Sequence, residues 1–313
     1  MIITQATLDA LRTQFTLGFD AAYQATEVWH TKLATQVPSS AKSNTYGWVV
    51  DQTRMREWIG PRVALNLSEH EYVLKNKRYE ATIELDRDDI EDDNLGLFAN
   101  VTVPQLAEAA RKHADELIAD MLALNSGNGP LAFDGKNLFA DDHPTFDAAG
   151  TTYDNKFSLS LSADNVETVW ETMTSYTGQS GRPLLVRPNA LIVPPQLYRP
   201  ALEIMNAAWI VKAQTNVAGS ENVGGAAVDN VMKGWMEVIM IEEFASDPTR
   251  WYVADLSKAI KPLLVQNRRP DQFVSRDDPA DPKVFDQAKF TYGVDNRRNV
   301  GVSLPFLIAT SKP

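Results

Sequence analysis

The most compact group of side chains that could do chemistry is Asp141-Asp142-His143, in which two carboxylates precede an imidazole. Carboxylate and imidazole groups bind catalytic metal ions and act as general acids and bases. The same residues lie between Phe139 and Pro144 in a stretch rich in Gly, Asp and Asn, which is typical of a turn. The sequence favours the turn and leaves a metal-dependent hydrolase as an alternative.

A second candidate is the acidic stretch from Glu84 to Asp93. Calcium-binding loops place their ligands at alternate positions, with a central Gly and a terminal Glu, and this stretch does not follow that pattern. We expect a solvated acidic turn in which Arg87 is an internal counter-charge or forms a salt bridge to a neighbouring chain.

The third candidate is His113, which precedes Glu116 by one helical turn. Such a pair binds metal in four-helix carboxylate sites only when a second pair and further Glu residues face it. The chain has 4 histidines, and none forms a matching pair. His113 also falls on the apolar stripe of its helix, so we expect it to be structural.

The rest of the catalytic inventory is thin. The sequence has no Gly-x-Ser-x-Gly elbow, and the glycines from Gly219 to Gly225 lack the Lys and the flanking strand of a phosphate-binding loop. The absence of cysteine excludes disulfides, thiolate metal sites and a cysteine nucleophile. The sequence therefore predicts neither enzyme activity nor a cofactor or metal site.

Composition is that of an ordinary soluble protein with an acidic surplus. The 313 residues are 44% hydrophobic and 23% charged, with a formal net charge of −11. This length predicts two structural units or one elongated unit. The charge argues against a reader of nucleic acid, although a surface could face nucleic acid without gripping it. No apolar run reaches membrane-spanning length and Met1 to Gln14 lack a signal-peptide core, so we expect the chain to stay in the cytoplasm.

The first part of the chain predicts an arm. Apolar side chains recur at intervals of three and four from Leu8 to Trp29, which predicts an amphipathic helix from Gln5 to Leu33. Val37 to Asn44 predicts a small-residue linker. The helix either folds on its own domain or binds a partner. Because termini are ordered only when something holds them, we expect it to pack mainly on neighbouring subunits, through Phe15, Phe19 and Trp29.

The next segment predicts a two-stranded ribbon. Pro61 to Leu67 and Glu71 to Leu85 alternate apolar and polar side chains around the turn Ser68-Glu69-His70. A long isolated ribbon is marginal in water unless one face is covered. Aromatic residues near arginines resemble the anchors of subunit interfaces, so we expect another subunit to cover the ribbon. The alternative is that the ribbon packs on its own domain. The candidate contact residues here are Trp48, Arg56, Trp58, Arg62, Tyr72 and Arg87.

The strongest helix start in the chain is Thr102 to Gln105, where Thr102 can cap the helix and Pro104 fits its first turn. An apolar stripe continues to Leu124, and twenty helical residues span roughly 30 Å, enough for the backbone of an elongated subunit. Beyond residue 150, helices and strands follow without regular strand-helix-strand repetition, so the fold class is α+β. We expect helices at 164–178 and 195–208, and strands at 190–193, 235–241, 251–254, 263–265, 284–292 and 300–310.

Several short stretches along the chain carry a family resemblance when taken together. They are Thr4-Gln-Ala-Thr-Leu8, Met55-Arg-Glu-Trp-Ile-Gly60, Lys77-Arg-Tyr-Glu-Ala-Thr82, Arg87-Asp-Asp-Ile-Glu-Asp-Asp93, Gly181-Arg-Pro-Leu184, Leu191-Ile-Val-Pro-Pro195 and Tyr292-Gly-Val-Asp-Asn-Arg297. With them the whole chain resembles the Mu-like major head subunit family, whose members adopt the tailed-phage capsid fold of the Hong Kong 97 type. A head-tail adaptor or another soluble phage structural protein remains the alternative.

The resemblance implies an architecture and a function. The implied parts are an N-terminal arm at 1–45, an extended loop at 46–80, a peripheral domain at 81–145 with a spine helix at about 103–125, an axial domain at 146–258 and C-terminal peripheral strands at 259–313. The implied protein is a major capsid protein, which self-assembles as hexamers and pentamers into the icosahedral shell around double-stranded DNA. The resemblance further implies a separate scaffolding protein, a portal and a decoration protein, with no cofactor and no membrane. It implies a place in the virion capsid, with assembly in the host cytoplasm.

Overall fold

The computed structural model describes residues 5–48, 70–92, 96–123, 129–146, 149–212, 226–278 and 281–313. Arg56, Trp58 and Arg62 lie outside these residues, as do the predicted strand 61–67, residues 68 and 69 of the predicted turn, and the side chain of Trp48. No helix in the described ranges is long and apolar enough to cross a membrane.

The described helices are α1 (Gln5–Ala25), α2 (His30–Leu33), α3 (Arg87–Asp92), α4 (Val103–Ala123), α5 (Ala163–Thr174), α6 (Pro195–Asn206) and α7 (Pro282–Gln287). The described strands are β1 (Ala34–Pro38), β2 (Ser43–Trp48), β3 (His70–Lys75), β4 (Lys77–Asp86), β5 (His143–Pro144), β6 (Thr152–Tyr153), β7 (Lys156–Phe157), β8 (Ala190–Val193), β9 (Trp209–Lys212), β10 (Ala226–Asp229), β11 (Glu237–Met240), β12 (Trp251–Ala254), β13 (Leu263–Arg276), β14 (Lys289–Val302) and β15 (Ile308–Ser311).

The first of two main layers is a four-stranded sheet in the order β1-β13-β14-β4, with β1 parallel to β13 and the other pairs antiparallel. One face packs against α1 and α4 through a core that includes Phe15, Phe19, Val103, Phe290 and Tyr292. The opposite face of this sheet is called the outer face below. The long helix α4 therefore serves as a spine under the sheet, as its apolar stripe predicts.

The second layer is a five-stranded sheet in the order β11-β8-β12-β15-β7. Every residue of β8, β12 and β15 is buried, because α5 and α6 contribute to a core on one face while the C-terminal half of α4 contributes to a core on the other. Strands covered on both faces read as continuous apolar runs, which is why Ala190 to Val193 and Trp251 to Ala254 were recognisable in the sequence. Since β15 joins this sheet, the last residues of the chain belong to the layer built from 190–254 rather than to the four-stranded layer.

The structure corrects the expectation that the first helix packs mainly on neighbouring subunits. Phe15 and Phe19 are only 1% and 3% exposed in the single chain, where they pack on α4 and β14. The Arg12 Nη2 atom lies 2.5 Å from the Asp277 Oδ1 atom and ties α1 to the end of β13. The predicted helix also ends earlier, at Ala25, and one further turn forms at His30–Leu33. Its apolar stripe is explained by burial within the subunit, and of the three arm candidates only Trp29 keeps a partly exposed side chain.

The expected linker and ribbon also differ from the structure. Strands take up both ends of the predicted linker at 37–44, since β1 (Ala34–Pro38) pairs with β13 and β2 begins at Ser43. The partner of β3 is β2, with Tyr46 opposite Tyr72, while β4 continues into the main sheet beside β14. The predicted single long strand from Glu71 to Leu85 is therefore two strands with different partners, separated at Asn76.

Three element boundaries differ for local reasons. A turn of π-helix, Phe98–Thr102, runs straight into α4, and the Val103 N–H donates to the Phe98 carbonyl, so Thr102 is not the N-cap. Pro104 is the second residue of α4, where its lack of a backbone N–H is tolerated in the first turn. Helix α5 starts at Ala163 because the Ser162 hydroxyl accepts from the Asn165 N–H. The predicted strand at 284–292 begins as α7, and strand geometry starts at Lys289.

Candidate subunit-contact surfaces

The root of the β2–β3 ribbon lies on the outer face of the four-stranded sheet. The Tyr72 hydroxyl accepts a hydrogen bond from the Val302 N–H at 3.2 Å, and the Tyr46 hydroxyl donates to the Gln266 Oε1 atom at 2.6 Å. Gly301 makes room for Tyr72, since a Cβ atom there would lie 2.7 Å from the Tyr72 hydroxyl oxygen. Burial raises the pKa of Tyr72, which keeps the hydroxyl protonated at neutral pH. Tyr72, a predicted contact residue, is thus an anchor within the subunit.

A buried amide network closes the end of the ribbon. The Gln266 side chain donates to the Asn76 Oδ1 atom at 2.8 Å, and the Asn76 amide donates to the Ser39 hydroxyl and the Ala41 carbonyl, each at 2.9 Å. Buried polar groups with all partners in place hold one geometry, because leaving any of them unpaired is costly. The root is therefore rigid, and the chain leaves it at Trp48 and returns at His70, the last described pair of the ribbon.

Trp29 lies where the two layers meet. Its indole N–H donates to the Glu243 Oε2 atom at 3.2 Å, and its ring centroid is 6.3 Å from that of Phe244. Just after it, the His30 Nδ1 atom and backbone N–H both lie 2.7 Å from the Asp115 Oδ1 atom of α4. Trp29 borders a groove of about 490 Å³ that is also lined by Lys32, Tyr198, Met240 and Glu242, among other residues. Its partial exposure keeps it a candidate contact residue.

Arg87 opens α3 at the far end of β4. Its backbone N–H donates to the Ala288 carbonyl at 2.9 Å, while the Asp86 carboxylate accepts from the Asp88 N–H at 3.0 Å and caps the helix. Asp88, Asp89 and Asp92 are exposed. The stretch is thus an exposed acidic turn of helix, and no group of three or more His, Asp or Glu side chains suited to a metal ion occurs within the described ranges.

The structure separates the three residues of the hydrolase alternative. Asp141 and Asp142 are exposed, and Asp142 pairs with Lys136, which lowers the pKa of the Asp142 carboxyl. His143 is fully buried, with its Nδ1 atom 2.6 Å from the Asp134 Oδ2 atom and its Nε2 atom 3.2 Å from the Leu138 carbonyl oxygen. Both ring nitrogens are occupied by structural partners, so the side chains of Asp141, Asp142 and His143 do not converge on a reacting group.

His113 is a packed side chain within the subunit. Its ring lies edge-on to Tyr79 with centroids 4.3 Å apart, and its Nδ1 atom is 3.4 Å from the Asn296 side-chain nitrogen. Burial, and then the charge of Arg298, lower the pKa of His113. The imidazole is therefore neutral at neutral pH and fills the space between α4 and the four-stranded sheet.

One residue that joins distant segments was missed by the sequence analysis. Asn155 is fully buried, and its amide nitrogen donates to the carbonyls of Leu138, Pro305 and Ile308 at 2.9, 3.0 and 3.2 Å. Its Oδ1 atom accepts from the Ala140 N–H at 2.9 Å. These partners lie up to about 150 positions away in the sequence, so no local pattern indicates the role.

Comparison with known proteins gives a consistent result along the chain. The family model described as Mu-like prophage major head subunit gpT matches residues 8–158, 152–236 and 232–313. The major capsid protein of Escherichia phage Mu is 27% identical over 301 residues, covering 96% of this chain and 72% of the relative. The Mu-like prophage FluMu major head subunit of Haemophilus influenzae is also 27% identical, over 299 residues, covering 96% of this chain and 71% of the relative.

Solved capsid structures of two phages superpose on this chain. A chain of the bacteriophage JBD30 procapsid superposes with a TM-score of 0.60 at 28% identity, covering 99% of this chain and 76% of that one. A chain of the cyanophage P-SCSP1u capsid superposes with a TM-score of 0.57 at 10% identity, covering 92% and 88%, which supports the fold alone. The fold is thus shared with subunits of phage capsids. The chain belongs to the Mu-like prophage major head subunit gpT family.

Proposed function

We propose that this major capsid protein builds the icosahedral head shell of a Mu-like phage or prophage as hexamers and pentamers that enclose double-stranded DNA. The observation that carries the proposal is the rooted ribbon, combined with a match to head subunits along nearly the whole chain. A rigid root on the outer face fixes the position of Trp48 and His70, the last described pair of the ribbon. A neighbouring subunit is the cover that a long ribbon needs.

The remaining parts of the proposal concern partners and place. A separate scaffolding protein, a portal and a decoration protein complete the assembly, which takes place in the host cytoplasm. A JBD30 capsid decorated with minor capsid protein trimers contains a chain that is 25% identical to this one, with a TM-score of 0.54, and this supports decoration as a property of related shells. No catalysis is proposed, because Asp142 pairs with Lys136 at the surface and His143 pairs with Asp134 in the interior.

Electron microscopy of the protein produced together with its scaffolding protein tests shell formation. Closed particles with hexamers and pentamers are the expected result. If only small rings or dimers form under all conditions, the head-tail adaptor becomes the better assignment.

Trp58→Ala tests the extended loop itself. We expect the free subunit to keep its Tm and the yield of closed particles to fall, because truncating a buried aromatic anchor typically costs more than about 2 kcal/mol. Trp58→Phe is the matched control, since it keeps most of the apolar area. Normal particle yield and particle stability in Trp58→Ala would show that the loop is not held by this side chain.

A further inference from the structure

Four arginines form a patch on the outer face of the four-stranded sheet. Arg78 of β4 lies directly opposite Arg297 of β14, and Arg297 lies directly opposite Arg269 of β13. Directly opposite residues share one face, so these side chains stand in a row across three strands. Together with Arg268 they line a pocket of about 330 Å³, and these four residues are called the arginine patch.

The patch has more positive charge than the described part of the chain neutralises. Arg269 pairs with Asp295 at 2.8 Å, whereas Arg78, Arg268 and Arg297 have no ion-pair partner among the described residues. The Nε atoms of Arg269 and Arg297 are buried and lack a hydrogen-bond partner within those same residues. Like charges directly opposite in a sheet are destabilising, so this row costs the free subunit stability. The row of arginines is explained if a partner outside the subunit supplies hydrogen-bond acceptors for the guanidinium groups.

The location of the patch makes it accessible. The root of the ribbon covers the outer face as far as Gly301, which lies against Tyr72, and Asn299. The Asn299 side-chain amide donates to the Lys75 carbonyl at 2.8 Å. The next outward position of β14 is Arg297, beyond the described part of the ribbon. Arg78 and Arg268 are exposed, and Arg269 and Arg297 are partly exposed.

The same strand carries the opposite charge at its other end. From Arg78, β4 runs through the exposed carboxylates Glu80 and Glu84 to Asp86, where the acidic helix α3 begins with Arg87 as its own basic residue. The eight steps from Arg78 to Asp86 span about 26 Å, so the two ends cannot meet in one chain. In a head-to-tail contact, the acidic end of one copy lies against the basic end of the next copy, so both charged ends of every copy are paired in the same way.

We propose that the arginine patch binds the acidic segment Asp86–Asp92 of a neighbouring copy of this chain in the assembled shell. Guanidinium groups form bidentate pairs with carboxylates, and a row of three matches a segment with several closely spaced carboxylates. Phosphates of nucleic acid have the same chemistry, but a chain with a net charge of −11 repels a polyanion overall. The inference rests on the proposed shell and names one of its contacts.

Charge reversal with mutual rescue tests the contact. We compare the yield of closed particles for four proteins. They are the wild type, the double variant Arg78→Glu/Arg297→Glu, the double variant Asp88→Arg/Asp89→Arg, and the variant that carries all four substitutions. Each reversal alone is expected to lower the yield at least about tenfold, and the combination is expected to recover most of it, because complementary charges meet again across the contact. Arg199→Glu, which reverses the charge of an exposed arginine on α6, is the control for a charge reversal elsewhere on the surface.

A second measurement separates the contact from folding. Arg297→Gln removes one charge from the row, so the Tm of the free subunit is expected to stay level or rise while the particle yield falls. A lower Tm that explains the lower yield would overturn the inference.

Each remaining outcome decides between the inference and the proposed function. Normal particles from the arginine reversals, or a combination without rescue, would overturn the contact while the shell itself stands. An equal loss with Arg199→Glu would also overturn it. If the wild-type subunit retains duplex DNA and the arginine reversals do not, the arginine patch binds phosphates instead. If the wild type forms no shells, the proposed function fails and the inference fails with it.

Discussion

Truncating Phe15 tests where the first helix belongs. Phe15 is 1% exposed in the single chain, and its ring meets Tyr292 of β14 edge-on with centroids 4.9 Å apart. It packs in the core formed by α1, α4 and the four-stranded sheet. Phe→Ala at such a position removes both the apolar contact and the aromatic pair and leaves a cavity, so we expect a loss of about 3–5 kcal/mol in the free energy of unfolding.

The assay is urea unfolding of the free subunit, followed by intrinsic fluorescence. Leu17→Ala is the matched control in the same helix, because Leu17 is 65% exposed and its truncation is expected to change the free energy by less than about 0.5 kcal/mol. Deleting residues 1–36 is likewise expected to unfold the subunit, since it removes α1 and part of β1. A Phe15→Ala subunit as stable as Leu17→Ala would refute the assignment of α1 to the subunit's own core and restore the free arm.

Three further predictions concern the ribbon root, pH and nucleic acid. Gly301→Ala should destabilise the subunit by about 1–3 kcal/mol through its clash with Tyr72, and adding Tyr72→Phe should relieve part of that cost in a double-mutant cycle. If the two effects simply add, the close contact is not the cause. Because burial lowers the pKa of His113 below its usual 6.5, the unfolded chain takes up the proton first, so stability should fall as pH drops below about 6.5. His113→Gln should flatten this dependence in thermal unfolding, and an unchanged slope would assign it to other groups. Free subunits should not retain duplex DNA at physiological salt, because a chain with a net charge of −11 offers few basic groups to neutralise phosphates. Tight, salt-sensitive retention of duplex DNA would contradict this.

Local patterns predicted the elements whose signals are local. The spine helix was recognisable from its apolar stripe and Pro104, and β8 and β12 from short apolar runs bounded by turn residues. By contrast, β1 pairs with residues 263–267, more than 200 positions away, and its own five residues show no strand pattern. The same limit explains why α1 was expected on a neighbour: an amphipathic stripe indicates that a face is buried but not by which chain.

The candidate site shows the same division. Tyr72 was singled out from its residue type, but its anchoring contact needs Val302 and Gly301 to lie beneath it. The arginine patch depends on the register of three strands, which the sequence does not reveal because two of them were expected to end or begin elsewhere. His143 looked like a chemical group beside two acids, whereas its actual partner, Asp134, lies nine positions earlier.

Hydrogen exchange of the free subunit compared with the assembled particle distinguishes a subunit contact through the extended loop from one through the first helix, because it measures the protection of both segments in one experiment. We expect residues 43–75 to gain strong protection on assembly, because a neighbouring subunit covers the ribbon, while α1 is already protected in the free subunit. Unchanged exchange in the ribbon together with new protection of α1 would contradict this, because the arm and not the loop would then join the copies.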